Sequence, residues 1–233
     1  MEQEKVKMYK RILAFIIDFL LVAVLSAIVM YAIPHSDKYN ETLENSTTLR
    51  KAIYESEEPL STKELTQLSN EITYDSYKYG VLENGITIVI MLSYFTLFTF
   101  FNHGQTVGKM LVKTKVTNLD GNDPSLLGSF TRSMVVSRSF GDIITFILVL
   151  SMNKPTFIKS YYYIDMVLTV IWIACPIIAI WRQDGRGLHD LIGGTKVLDK
   201  RKQESTEIVE AKIEEKAEKK DIKKTNKKSN KKK

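Results

Sequence analysis

The chain has 233 residues, a formal net charge of +6 and a single cysteine, with 44% hydrophobic and 26% charged residues. One cysteine excludes an intrachain disulfide framework. The mean hydropathy of −0.10 resembles a soluble protein's, but it averages very apolar runs with very polar ones, so it does not exclude a membrane protein.

Lys5, Lys7, Lys10 and Arg11 precede the first apolar run and assign residues 1–11 to the cytoplasmic side. The run Ile12–Ile33 is long enough to cross roughly 30 Å of hydrocarbon as a helix. It is too long for a signal-peptide core and lacks a small-residue cleavage site, so it reads as a retained span. Asp18 lies inside it. A carboxylate at that depth costs roughly 2.5–3.5 kcal/mol on insertion scales, so a partner or a purpose is expected. Arg11, Ala14 and Asp18 follow i, i+3, i+7 spacing and share one stripe of the helix.

Residues 34–80 read as an acidic extracytoplasmic loop, with a helix-start pattern at Ser61-Thr62-Lys63-Glu64. A second span is expected over 81–101. Beyond it, Val112, Thr114 and Val116 alternate with lysines as a short strand does, and Asn118-Leu119-Asp120-Gly121 reads as a turn. Asp123 reads as the N-cap, with Pro124 at the first position, of a helix running to Met152. Its later part, 132–152, is the third span, and Arg138 four residues before Asp142 supplies that acid with a partner. The fourth span is expected over 161–181. It begins with Tyr161-Tyr162-Tyr163, an aromatic belt from which Asp165 reaches the outer interface. Cys175 reads as a small packing residue. If the third run did not cross, the lysine-rich tail would lie outside, against the positive-inside tendency. The tail, 199–233, is rich in Lys and Glu and reads as disordered. Its basic cluster around Lys223–Lys233 is suited to anionic lipid headgroups. Without interleaved aromatic residues, it gives no reason to expect a nucleic-acid partner.

Three patterns meet the cytoplasmic face in this topology. They are Arg11-x-x-Ala14-x-x-Ile17-Asp18, then Gly104-Gln105-Thr106-Val107-Gly108-Lys109, then Asp184-x-Arg186-Gly187-Leu188-His189-Asp190 with Gly194-Thr195-Lys196-Val197 after it. The glycine-rich pattern superficially suggests a phosphate loop, but its glycines are one residue too close and Met110 stands where Ser or Thr is needed. A tight membrane-exit turn with Lys109 at the headgroups is the expected reading. His189 and Asp190 sit in a short amphipathic helix, Gly187–Ile192, ended by Gly193-Gly194. His189 either relays protons near neutral pH or, with Asp190, anchors that helix to basic neighbours. Asp18 likewise either binds a cation or proton during transport or forms a fixed pair with Arg11, Lys109 or Arg186. A pair with Arg11 would make Asp18→Asn and Arg11→Gln recover stability together. Pairing of Thr195–Leu198 with Val112–Val116 as a β-ribbon would gather all three patterns.

In this order the patterns resemble the RDD family of bacterial membrane proteins, named for a characteristic Arg, Asp and Asp. The matching residues here are Arg11, Asp18 and Asp190. The resemblance extends to Asp120-Gly121 and Ser125–Arg132 and covers most of residues 8–198, interrupted by a loop longer than the family's usual connection. It implies a multi-pass protein of the bacterial plasma membrane. Some members are linked to monovalent cation/proton exchange. The expectation is therefore an all-α integral membrane protein of four transmembrane helices with both termini cytoplasmic, a small cytoplasmic β-ribbon and a disordered basic tail. It is expected to act as a transporter or, alternatively, as a non-transporting scaffold or regulator working through its loop or tail. Homo-oligomerisation is compatible with either. No cofactor, metal or enzymatic turnover is expected, because no nucleophile–base arrangement or metal-ligand spacing is present.

Overall fold

The computed structural model describes residues 6–55 and 60–200. The tail reading from Arg201 onward therefore lies outside the described residues. The described chain is mostly helical, with one two-stranded antiparallel sheet. Three helical stretches are long and apolar enough to cross a membrane: α1 (Met8–Ala32), the stretch Val81–Phe101 and α9 (Lys154–Trp181). A bent pair, α7 (Leu126–Val136) and α8 (Ser139–Ser151), makes a fourth span if the two are taken as one.

The described parts of 34–80 are more regular than the loop expected from sequence. They fold into α2 (Asp37–Glu55) and α3 (Thr62–Tyr79). Ser61 starts α3 with a reciprocal capping box: its hydroxyl accepts from the Glu64 amide, and its own amide donates to the Glu64 carboxylate. Tyr74 and Tyr77 of α3 pack on Phe157 of α9, with ring centroids 5.5 and 5.9 Å apart, and Phe157 is fully buried. Lys154 pairs with Glu71 at 3.0 Å, and the Tyr162 hydroxyl donates to Asn70. The polar hairpin is thus seated on the end of the bundle where α9 begins.

The second span contains a π-helical turn, Ser93–Phe98, between α4 (Val81–Leu92) and α5 (Thr99–Phe101). Tyr94, Phe95 and Thr96 are all buried there. The wider turn brings three consecutive side chains against neighbouring helices, as π-bulges do. Tyr94 and Phe95 form a core cluster with Val22 of α1.

The segment after the second span departs from expectation at its helix start. Asp123 does not cap a helix. It takes the ring nitrogen of His103 at 2.6 Å and lies 3.9 Å from the Lys115 ammonium. Ser125 is the N-cap instead, accepting from the Gly128 amide. The helix also does not run unbroken to Met152. It breaks between α7 and α8 at Arg138, whose φ is +59°, and the two parts diverge by 71°. Arg138 donates to Asp165 at 2.7 Å rather than serving as a hydrogen-bonded partner for Asp142. Asp165 accepts this bond while its side chain stays 46% exposed.

Strand β1 (Thr114–Asn118) pairs with β2 (Thr195–Asp199), Val116 opposite Val197. The register is shifted slightly from Val112–Val116, but the ribbon forms as expected. Val6, Val116 and Val197 close a small core beneath it. Entry into β1 is set by Gly104. Its carbonyl accepts from the Val116 amide, its φ is +82°, and a Cβ there would collide with the Val116 carbonyl oxygen. Gly121 also has positive φ, at +94°, but open space around it. Gly104→Ala is expected to cost about 1–3 kcal/mol, as overpacked sites do, and Gly121→Ala distinctly less. Thermal melts of the two detergent-purified variants check this, and equal losses would refute it.

Candidate functional site

The bundle end that holds Met8, the sheet, α6 (Val107–Leu111) and α10 (Leu188–Ile192) gathers most of the sequence-predicted residues. They form two linked polar centres rather than one. In the first, Asp190 is completely buried. Its carboxylate accepts from Arg11 at 3.1 Å and is also paired with Arg132 of α7. The Gly187 amide and the Thr195 hydroxyl add donors at 3.1 and 3.4 Å. Arg132 reaches Thr195 as well, at 3.3 Å. One carboxylate thus links the start of α1, the third apolar segment, α10 and β2. An isolated buried ion would be very costly, but here each carboxylate oxygen meets donors. Gly194, at φ +60°, makes the turn that carries α10 into β2 and so delivers Thr195 to Asp190.

The second centre is Asp18, also buried. Its partners are not the arginines weighed from sequence. The Tyr94 hydroxyl donates at 2.7 Å, the Thr106 hydroxyl at 2.5 Å and the Gly108 amide at 2.7 Å. Tyr94 also accepts from the Val107 amide, tying the π-turn to α6. Thr106 is the N-cap of α6, so Asp18 holds the start of that helix against α1. The approach requires glycine at 108: a Cβ would collide with the Ala14 carbonyl oxygen and lie 2.8 Å from Asp18. Ala14 and Gly108 therefore serve close helix contact. Gln105 donates to the Thr114 carbonyl and fixes the turn to β1.

Lys109 does not extend to the headgroups as the exit-turn reading expected. Its ammonium donates to the Thr106 hydroxyl at 3.2 Å, one atom away from Asp18. Burial pushes its pKa down to about 8, and the Arg132 and Arg11 charges push the same way against the opposing pull of Asp18. His189 lies 3.4 Å from Asp190. Burial, followed by the fields of Arg132, Arg11 and Lys109, holds its pKa well below the ordinary imidazole value. His189 is therefore neutral at pH 7 and does not titrate there, which favours the anchoring reading over the neutral-pH relay. Asp184 and Arg186 stay outside both centres. They form an exposed corner in which Arg182 and then Arg186 bond Asp184 and hold its carboxyl below the usual carboxylate range.

Sequence reading missed two members of the junction. Arg132 carried a signal like that of Asp18, a charge at the edge of an apolar segment. Tyr94 carried none, because a tyrosine in a membrane span is ordinary and the π-turn that aims it has no sequence mark.

Since Arg11 and Asp18 belong to different centres, their substitutions are expected to be additive to within about 0.5 kcal/mol, correcting the mutual recovery expected from a direct pair. Arg11→Gln with Asp190→Asn, which share a bond, should instead couple by about 1 kcal/mol or more. Asp190→Asn alone is expected to cost about 3–5 kcal/mol by leaving two buried guanidinium groups without a counter-charge. Double-mutant cycles on reversible unfolding in mixed micelles measure all three; coupling between Arg11 and Asp18 would contradict the separation.

Comparison with known proteins gives one family. The model of the RDD family matches residues 5–194, which contain both buried aspartates and all of their partners named above except Thr195. No curated protein and no solved structure matches the chain. A match over most of the chain, with Arg11, Asp18 and Asp190 all in the buried junction, shows that this multi-pass membrane protein belongs to the RDD family.

Proposed function

We propose that the protein exchanges a monovalent cation for a proton across a bacterial plasma membrane, with both termini in the cytoplasm, and that Lys109 carries the proton. The observation behind this reading is the chain Lys109–Thr106–Asp18: an ammonium with a pKa of about 8, one hydroxyl away from a buried carboxylate. Asp18 already receives three hydrogen bonds from protein donors. When Lys109 is protonated, its charge balances Asp18. When the proton leaves, that balance is lost, and a small cation beside the Asp18 and Thr106 oxygens restores it. Proton and cation then exclude one another at one place, which is the condition for exchange. The lysines before α1 and in the tail support the cytoplasmic assignment of this end.

The second reading is a scaffold or regulator without transport. It is favoured by the saturation of both aspartates with protein donors and by the folded α2–α3 hairpin, which offers a polar surface to a partner. Neither reading includes enzymatic turnover.

Proton movement in proteoliposomes, followed with a pH-sensitive dye during Na⁺, K⁺ and Li⁺ pulses, tests the proposal. Lys109 gives up its proton as pH rises through its depressed pKa, so the apparent affinity for the cation should tighten with pH and level off above about 8, while the protons released per cation bound fall over the same range. Lys109→Met and Asp18→Asn should each abolish it while the protein still inserts and elutes as a single species. Absence of flux from folded wild type would reject exchange and leave the scaffold reading.

A further inference from the structure

A cavity of about 440 Å³ lies between α1 and α9, within the size range of small-molecule sites. Its lining is of two kinds. Phe15, Phe95, Val136, Trp172, Ile173 and Ile177 make apolar walls, and Arg11, Lys109, Arg132, His189 and Asp18 also line it. The walls are continuous with the outside of the bundle: Ile12, Ile173 and Ile177 line the cavity yet are 49%, 51% and 47% exposed. α1 and α9 meet there through Phe15 and Trp172, with ring centroids 6.0 Å apart. In a membrane, a side opening of this kind faces lipid tails, not water.

Charge indicates which occupant fits. Arg11 and Arg132 share the single carboxylate of Asp190. Asp18 takes its hydrogen bonds from neutral groups, and Lys109 is bonded to a hydroxyl. Asp184, whose field also reaches Arg11, is itself bonded by Arg182 and Arg186, so Arg11, Arg132 and Lys109 stand against Asp190 and Asp18 with one positive charge in excess beside the apolar lining. A small free anion would satisfy the charge but not the walls, and an uncharged lipid would do the reverse.

We propose that this cavity binds an anionic phospholipid from the leaflet at the bundle end holding α6 and α10, its headgroup phosphate against Lys109 and one acyl chain between α1 and α9. Basic recesses between membrane helices suit such headgroups. The lipid enters sideways past Ile12, Ile173 and Ile177, and its chain runs along Phe15 and Trp172. The assignment goes beyond cation exchange and does not require transport.

Trp172 is a reporter already in place. The full chain carrying Trp181→Phe is reconstituted in phosphatidylcholine vesicles with increasing fractions of brominated phosphatidylglycerol or brominated phosphatidylcholine, and tryptophan quenching is read. Half-quenching is expected at about fivefold lower mole fraction of the anionic lipid, the effect of roughly one basic residue at a membrane surface. Lys109→Met should bring the two lipids to parity, whereas Lys109→Arg should keep the preference. Ile177→Phe, which narrows the entrance with every charge in place, should also reduce it. Equal quenching in the Lys109-containing chain overturns the proposal, as does a preference that survives in Lys109→Met, since that would come from general attraction to basic segments. Excess inorganic phosphate should leave the preference intact; its disappearance would mean that the cations take a free anion and would reject the lipid. No ion gradient is present, so failure of exchange in flux assays leaves this result unaffected, and the converse also holds.

Discussion

The junction depends on a carboxylate held between two arginines. Asp190 is buried, and Arg11 and Arg132 reach it from the first and third apolar segments. Removing Asp190 leaves two buried guanidinium groups without a counter-charge, so the three elements are held together more by the penalty of separation than by the strength of attraction. The β-ribbon ties the segment after the second span to the segment after the fourth, and Lys10 pairs with Asp199 at its end. The start of α1 is therefore fixed to α10 through Arg11 and to β2 through Lys10.

Asp18 has a different role, although it is the more conspicuous residue in the sequence. It organises neutral donors: a tyrosine from the π-turn, a capping threonine and a backbone amide. This sets α6 against α1 with only glycine and alanine between their backbones. Lys109 is positioned as a consequence, since its bond to Thr106 follows from the cap geometry of α6. A titratable ammonium near Asp18 is thus the product of a close backbone contact made elsewhere.

Much of the architecture was legible because its causes are local. Long apolar runs, the alternation around Thr114–Val116 and the Gly193-Gly194 stop each leave a direct trace in the sequence. The capping signal at Ser61-x-x-Glu64 was equally direct. Two of the readings that changed turned on competition between partners. Asp123 had the chemistry of a cap but was taken by His103 and Lys115, and Arg138 sat at the right spacing for Asp142 yet bonded Asp165. Helical spacing states which groups can meet, not which neighbour from another element offers the better geometry. The same limit hid the division of Arg11 and Asp18 between two centres. They share a helix stripe, but seven residues put them about 10 Å apart along the axis.

The separation of these partners along the chain has a consequence during synthesis. Asp18 meets Thr106 and Gly108 across 88 and 90 positions, and Arg11 meets Asp190 across 179. At about 5–20 residues per second, the first helix waits several seconds for the donors of Asp18 and longer for the partner of Arg11. Throughout that interval the nascent first span carries a carboxylate that costs roughly 2.5–3.5 kcal/mol in hydrocarbon. A chain interrupted before Asp190 would keep Arg11 and Arg132 without the acid that joins them. Synthesis of the segment that carries Asp190 is therefore the step that supplies Arg11 and Arg132 with their shared counter-charge and joins the first and third apolar segments.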